Sequence, residues 1–156
     1  MTLDELRALI TALETHGVEY VVIGAAALNA LGIVRATEDI DIMVRPSADN
    51  VARLRRALGS LWDDPDIAQI TAEDLAGAYP AVRYGPPQGS LYIDIVARFG
   101  EAFAFDDVPG QSVDIGGVHA RIATPRALYR MKRGTVREID RLDAARLRTR
   151  FGLHEE

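Results

Sequence analysis

The chain has 156 residues, 48% of them hydrophobic and 26% charged, and its net charge is −5. This length predicts one domain over residues 1–156, and the composition is typical of a soluble globular protein. The absence of cysteine excludes disulfides and thiolate metal sites and agrees with a reducing compartment. No apolar run approaches the roughly 20 residues of a membrane span, and no basic leader is present, so we expect a cytoplasmic protein without a membrane partner.

Positive charge is concentrated near the C-terminus. Residues 121–150 contain ten Arg or Lys and three Asp or Glu, a balance of +7, while the rest of the chain carries −12. This asymmetry indicates either a surface for a phosphate-rich partner or a solvated helical face in an arginine-rich composition. Lys132 is the one lysine among 18 basic residues.

The first 61 residues predict alternating helices and strands. A capping box at Thr2 and Glu5, followed by apolar residues at helical spacing, predicts a helix over residues 2–16. Apolar and β-branched residues predict a buried strand at 19–24 and an extended segment at 33–44. Glycine breaks delimit a short helix at 25–31 between them, and a serine cap predicts a helix at 47–61.

The second half predicts hairpins followed by helices. After an irregular region at 62–78, turn residues predict strands at 79–84 and 90–97, a loop at 99–110, and strands at 112–115 and 118–122. Thr124 and Pro125 predict the start of one helix, and a capping box at Thr135 predicts another that ends near residue 150. The order predicts an α+β fold, a mixed or antiparallel sheet flanked by helices, with a C-terminal helical segment at 124–150.

The extended segment has a polar face that carries two carboxylates. Alternation places Arg35, Thr37, Asp39 and Asp41 on this face and Ala36, Ile40, Ile42 and Val44 on the other. Two carboxylates on one side of a strand are costly in water-poor surroundings unless a cation neutralises them. Mg²⁺ and Mn²⁺ prefer such oxygen ligands, so the pair predicts a divalent metal site; the alternative is a solvated surface pair.

Two neighbouring features strengthen the metal interpretation. Gly24 and Ala25 end a strand and open a helix, where a backbone without bulky side chains lets a triphosphate approach; tight packing is the alternative. Asp94 lies among strand-forming apolar residues and is either functional or on an exposed face. Asp114, beside the turn at Gly116, is the rival candidate for a third carboxylate.

The spacing of these residues resembles the DNA polymerase beta superfamily of nucleotidyltransferases. Its pattern is a Gly-Ser or Gly-Gly pair, an acidic pair in a strand and a carboxylate on a later strand. The matching positions are Gly24 with Ala25, Asp39 with Asp41, and Asp94. Ala25 departs from the usual Ser or Gly.

The segment from Ile23 to Asp41 is also similar to the AbiEii/AbiGii toxin family and related uncharacterised bacterial nucleotidyltransferases. Those proteins carry a later motif of lysine, arginine and spaced aspartates, which here would be Lys132, Arg137, Asp140 and Asp143. The alternative for the arginine and the aspartates of this motif is ion pairing on a helix surface.

These resemblances imply a nucleotidyltransferase fold and a two-metal transfer of NMP from a nucleoside triphosphate, with Mg²⁺ or Mn²⁺ as cofactor. The implied metal ligands are Asp39, Asp41 and Asp94. The implied catalytic residues are these three and Lys132, and the implied nucleotide-binding residues are Gly24, Ala25, Arg35, Thr37 and Arg137.

Three acceptor classes remain open. The first is RNA, such as a tRNA end, or a protein, in a toxin–antitoxin-like setting with a cognate antitoxin; the basic C-terminal region favours RNA. The second is a small molecule such as an aminoglycoside, which the acidic remainder of the chain would suit. The third is a partner-binding or antitoxin module with a weakened site, which the departure at Ala25 favours.

Overall fold

Helices and strands alternate along the described part of this computed structural model, which is residues 1–77 and 80–154. The α-helices are α1 (Leu3–Thr15), α2 (Gly24–Ala30), α3 (Ala48–Leu61), α4 (Ala72–Ala76), α5 (Pro125–Arg133) and α6 (Glu138–Phe151). The strands are β1 (Tyr20–Ile23), β2 (Asp39–Val44), β3 (Ala81–Tyr84), β4 (Tyr92–Val96), β5 (Arg98–Phe99), β6 (Phe103–Ala104), β7 (Gly110–Ile115) and β8 (Val118–Ala123). Short 3₁₀ helices cover Pro65–Gln69 and Phe105–Asp107.

Six strands form one mixed sheet in the order β3-β4-β2-β1-β8-β7. β2 pairs with β1 antiparallel and with β4 parallel, and β1 pairs with β8 parallel. β3–β4 and β7–β8 are antiparallel hairpins at the two edges of the sheet. The prediction of an α+β fold with a mixed sheet flanked by helices is confirmed.

The central strands are held in place by burial. All four residues of β1 are buried, and in β2 Ile40 and Ile42 are fully buried while Asp39 and Asp41 between them remain partly exposed. α1 begins at the predicted capping box of Thr2 and buries Leu9, Ile10 and Leu13, whereas Leu3 is exposed. Because apolar residues fix one face of β2 in the core, its acidic face has a defined direction.

Three predictions about local structure are wrong. Residues 33–38 are not a strand, since only Asp39–Val44 finds strand partners. The predicted loop at 99–110 contains β5, β6 and a 3₁₀ helix, and β7 already begins at Gly110. α6 begins at Glu138 without a side-chain cap, because the Thr135 hydroxyl instead donates to Asp140. The predicted start of a strand at Tyr79 lies outside the described residues.

None of the helices in the described ranges combines the length and the apolar character that crossing a membrane requires.

Candidate active site

The parallel pairing of β2 with β4 brings three carboxylates together. Asp41 lies directly opposite Asp94 in the register of this pair, and Asp39 lies on the same face of β2, two residues before Asp41. On the other side of β2, Asp41 is opposite Ile23, the last residue of β1. The acidic pair and the carboxylate of the later strand therefore share one surface of the sheet.

Gly24 lies directly against this carboxylate cluster. It follows β1, has a φ of +69°, and a Cβ built on it would overlap Oδ2 and approach Cγ of Asp41. Two separate constraints thus require glycine: the left-handed backbone conformation and the space taken by the carboxylate. Gly24 and Ala25 both line the cleft above the cluster.

The cleft above the cluster has a volume of about 510 Å³, and about half of its lining residues are polar or charged. Every predicted site residue lines it: Gly24, Ala25, Arg35, Thr37, Asp39, Asp41, Asp94, Lys132 and Arg137. Other residues that line the cleft include Arg83, Met131 and Asp140. Segments that are far apart in sequence therefore meet at one cavity.

Arg83 bridges two of the three carboxylates. Its Nε donates to Asp94 Oδ1 at 2.9 Å, and its Nη2 donates to Asp39 Oδ2 at 2.6 Å and to Asp94 Oδ2 at 3.2 Å. Both carboxylates raise the pKa of the guanidinium. Arg83 was not among the predicted site residues. A turn at 85–89 would place it opposite Leu91, whereas the observed register pairs Tyr84 with Ile93 and therefore Arg83 with Asp94.

The carboxyl group of Asp41 is the most perturbed acid of the cluster. Burial, followed by the hydrogen bond with Asp94 and the negative charges of Asp94 and Asp39, raises its pKa to about 7, and Lys132 opposes this shift. A carboxyl group whose ionisation is opposed by two neighbouring carboxylates is stabilised in its charged form by a nearby cation. Such perturbed groups cluster at functional sites.

The donor set of the cluster suits a hard divalent cation, since it consists of carboxylate oxygens at the wall of an open cleft. In the described residues, no group of three Asp, Glu, His or Cys side chains is arranged to hold a metal ion as it stands. The guanidinium of Arg83 pairs with Asp39 and Asp94. The raised pKa of Asp41 marks a site short of positive charge, and carboxylate oxygens are the ligands that Mg²⁺ and Mn²⁺ prefer, so the residue types fit either ion.

Lys132 lies at the centre of a buried ion-pair network. Its Nζ donates to Asp143 Oδ2 at 3.0 Å and to Asp140 Oδ1 at 3.3 Å. Asp143 is 0% exposed and also accepts from Arg35 Nη1 at 2.7 Å. The interpretation of Asp143 as a surface ion pair is therefore wrong. Arg137 is largely exposed and lies 3.9 Å from Asp140, which matches the ion-pair alternative for that residue.

Asp140 stays ionised in this network. Burial tends to raise its pKa, but the hydrogen bond from Thr135 and the charge of Lys132 outweigh burial and lower the pKa below its usual value. Asp143 Oδ1 is the one buried side-chain polar atom, among the residues described, without a hydrogen-bond partner. The network thus ties α5, α6 and the segment before β2 into one charged junction.

The remaining predicted residues have local structural contacts. The Thr37 hydroxyl donates to the backbone oxygen of Asp39 and accepts from its N–H, which shapes the entry into β2. Asn29 holds the backbone of Arg35 through two hydrogen bonds of 2.7 Å. Asp114 lies on β7, at the opposite edge of the sheet from β4, and accepts from the Gly117 N–H at 2.8 Å. It is therefore a turn residue rather than a third carboxylate of the cluster.

No family model matches the chain, and no curated protein sequence matches it significantly. Its fold is similar to solved structures of nucleotidyltransferases. The crystal structure of ANT(2'')-Ia in complex with adenylyl-2''-tobramycin has a TM-score of 0.58 and 15% identity, and the alignment covers 96% of this chain and 89% of that chain. The solution structure of ANT(2'')-Ia, described as an antibiotic-resistance factor with substrate-regulated conformation dynamics, has a TM-score of 0.55 and 15% identity, with coverages of 96% and 84%.

A third similar structure is an antigenic nucleotidyltransferase-like protein from Paracoccidioides brasiliensis, with a TM-score of 0.53, 16% identity and coverages of 93% and 74%. None of these proteins is described as an AbiEii or AbiGii toxin, so the resemblance to that family stays a prediction. At 15–16% identity these likenesses establish the fold alone. The fold of this chain is the nucleotidyltransferase fold.

Proposed function

We propose that the protein transfers NMP from a nucleoside triphosphate to an acceptor hydroxyl in the cleft above β2 and β4. The observation that carries the proposal is the direct register of Asp41 with Asp94, with Asp39 on the same face and the Cβ-free Gly24 against the carboxylates. Carboxylates grouped in this way beside a backbone without side-chain bulk suit the triphosphate of a metal-bound nucleotide.

The chain's own residues have distinct roles in this proposal. Asp39, Asp41 and Asp94 hold Mg²⁺ or Mn²⁺, which when bound offsets the charge of the phosphates and of the attacking oxygen. Gly24 and Ala25 leave room for the triphosphate. Asp94 accepts the proton of the acceptor hydroxyl, whose oxygen forms a bond to the α-phosphorus while the bond to the β-phosphate oxygen breaks and pyrophosphate leaves. No atom changes its oxidation state in this step.

The positively charged wall of the cleft comes from α5, from the start of α6 and from the segment before β2. Arg137 is exposed and lines the cleft, and Arg35 and Lys132 are close by but already paired with Asp143. We assign Arg137 to the phosphates directly. Lys132 and Arg35 act through the junction with Asp143, which fixes the wall on which the phosphates lie.

RNA is the acceptor that the surface charge favours. All eight arginines of residues 124–151 are exposed, whereas two of the three acids in that range, Asp140 and Asp143, are buried in ion pairs. Arg133, Arg141 and Arg148 line a groove of about 640 Å³ between α5 and α6, and Arg141 is one helical turn from the cleft residue Arg137. A phosphate backbone in this groove would lead towards the cleft. A toxin–antitoxin-like setting stays a prediction.

A small cationic acceptor such as an aminoglycoside is the second candidate. Four carboxylates line the 510 Å³ cleft: Asp39, Asp41, Asp94 and Asp140. The similar ANT(2'')-Ia structure holds adenylyl-2''-tobramycin. A polyamine would pair with these carboxylates on the side of the cleft away from Lys132 and Arg137, whereas the external groove of arginines would play no part.

The test is transfer of label from each α-labelled nucleoside triphosphate, with Mg²⁺ or Mn²⁺, to total RNA, to tobramycin or to the protein itself. The Asp39→Asn/Asp41→Asn variant should lose transfer. The matched control is Asp49→Asn/Asp63→Asn, which makes the same charge change at two exposed positions. Label entering one acceptor class names it. Absence of both transfer and nucleotide binding would overturn the proposal and leave the partner-binding module as the interpretation.

A further inference from the structure

Arg83 is placed on the acidic face by the backbone of the sheet. It lies directly opposite Asp94 in the antiparallel pair β3–β4, and Asp94 lies directly opposite Asp41 in the parallel pair β4–β2. Residues opposite one another in neighbouring strands project from the same side of the sheet. Whatever rotamer its long side chain adopts, Arg83 therefore remains at the edge of the carboxylate cluster.

We propose that Arg83 is a tethered cation that occupies the acidic face in the empty protein, gives way to the divalent metal, and then binds the triphosphate. The inference rests on the proposed function, since it concerns the same site. It assigns a nucleotide-binding role to a residue outside the predicted set and makes metal binding and nucleotide binding depend on one another.

Competition follows from the oxygens involved. Arg83 takes Asp39 Oδ2 and both Asp94 oxygens. These oxygens belong to two of the three carboxylates that the proposed function gives to the metal. A guanidinium and a divalent ion at the same oxygens would repel one another and compete for the same space, so the ion displaces at least part of the bridge.

The ion pairs of Arg83 with Asp39 and Asp94 are weak enough for a metal ion to displace them. The Arg83 side chain is 57% exposed, so water solvates it throughout, and exposed ion pairs of this kind are weak. A divalent ion gains more from the three carboxylates than a monovalent guanidinium does, because its charge is doubled and it approaches the oxygens more closely.

The released guanidinium has a surface on which to rest. Its Cζ lies 5.4 Å from the centroid of the Tyr92 ring, and Gly85 leaves that ring uncovered, since a Cβ at Gly85 would be 3.0 Å from Tyr92 Cε1. Arg83 also lines the cleft, where its planar donor fork matches phosphate oxygens. The side chain thus changes from a carboxylate partner to a phosphate partner without leaving the site.

Displacement of Arg83 should make the binding of metal and of triphosphate cooperative. Metal alone displaces Arg83 and leaves its guanidinium with water and the Tyr92 ring, whereas metal together with triphosphate supplies phosphate oxygens as a charged partner. Each ligand should therefore strengthen the binding of the other, and the coupling must be reciprocal.

The experiment measures Mn²⁺ binding by calorimetry or by the loss of free Mn²⁺ signal in electron paramagnetic resonance, with and without a non-hydrolysable nucleoside triphosphate analogue. Arg83→Gln should bind Mn²⁺ alone about three- to tenfold more tightly, and the analogue in saturating Mn²⁺ about five- to twentyfold more weakly. Arg83→Lys keeps the charge without the donor fork, so it should keep weak Mn²⁺ binding and lose part of the analogue affinity. Arg56→Gln, an equal charge change on α3, should alter neither.

Unchanged or weaker Mn²⁺ binding in Arg83→Gln would overturn the inference. The proposed function would survive that result if Mn²⁺ binding in the wild type is lost in Asp41→Asn. Absence of Mn²⁺ and analogue binding in the wild type and in Arg83→Gln alike would overturn the proposed function and this inference together.

Discussion

Gly24 and Asp41 lie against one another so closely that a Cβ on Gly24 would overlap the Asp41 carboxylate. Gly24→Ala should therefore abolish nucleotide binding, because the added methyl pushes the carboxylate out of the cluster. Gly17→Ala is the matched control: its φ of +66° is nearly the same as the +69° of Gly24, but nothing lies within 4 Å of the added Cβ. Both variants should lose about 1 kcal/mol of stability from backbone strain. Equal nucleotide binding by the two variants, measured by calorimetry, would contradict this account.

Asp41 should make the metal-free protein less stable as the pH rises from about 4 to about 7. Its pKa is raised from the usual 3.8 to about 7, so in this window the folded state binds more protons than the unfolded state, and the free energy of unfolding falls. The effect should be on the order of 1–3 kcal/mol, reduced because Asp41 keeps some contact with solvent. Urea titrations in EDTA at several pH values measure it. Asp41→Asn should flatten the curve, and an equally steep curve in that variant would contradict the assignment.

Replacing Lys132 should destabilise the protein beyond any effect on catalysis. Lys132→Met leaves Asp140 and Asp143 buried with one cation fewer, and loss of one partner from a buried pair costs about 3–5 kcal/mol. We expect a loss of stability at the lower end of this range, because Arg35 still pairs with Asp143 in the variant. Chemical denaturation of Lys132→Met against Arg133→Met, an exposed neighbour, tests this. Adding Asp143→Asn to Lys132→Met should restore part of the stability; if both single variants unfold alike, the network contributes little.

The arginine groove should bind single-stranded RNA with a marked dependence on salt. Replacing Arg133 and Arg141 by Gln removes two phosphate contacts, so the slope of log affinity against log salt should fall by about 1.4, at roughly 0.7 per contact. Fluorescence anisotropy with a labelled RNA oligonucleotide at several salt concentrations measures this. Arg53→Gln/Arg56→Gln makes the same charge change on α3. An equal loss of affinity in that control would mean that net charge, rather than the groove, binds RNA.

Sequence patterns predicted the structure correctly where they are local. The alternation around Asp39 and Asp41 identified the acidic face, because burial of Ile40 and Ile42 is determined within the strand itself. The position of Asp94 beside Asp41 required the parallel pairing of strands about 50 residues apart, and no local pattern encodes such a register. The prediction therefore named Asp94 but left Asp114 as its rival.

Sequence patterns gave the wrong structure where tertiary contacts determine it. The alternation continues back to Arg35, yet residues 33–38 lack a strand partner, and Arg35 reaches Asp143 on α6 instead. Charged residues such as Asp143 are rarely buried, so a surface position was the reasonable expectation until the packing of α5 against α6 enclosed it with Lys132. Arg83 was not predicted because a turn at 85–89 would pair it with Leu91, whereas the observed register of β3 and β4 pairs it with Asp94.

The segment that leads into β2 is fastened to the C-terminal helix at two points. Arg35 pairs with Asp143, and Arg150 Nε donates to the backbone oxygen of Leu31 at 3.0 Å. A force or a bound molecule that shifts α6 would thus pull on both ends of residues 31–35, and through Thr37 on the first residue of the acidic strand. Movement of α6 would therefore be transmitted to the cleft. Deleting α6 would loosen the cleft even though this helix contributes none of the three clustered carboxylates.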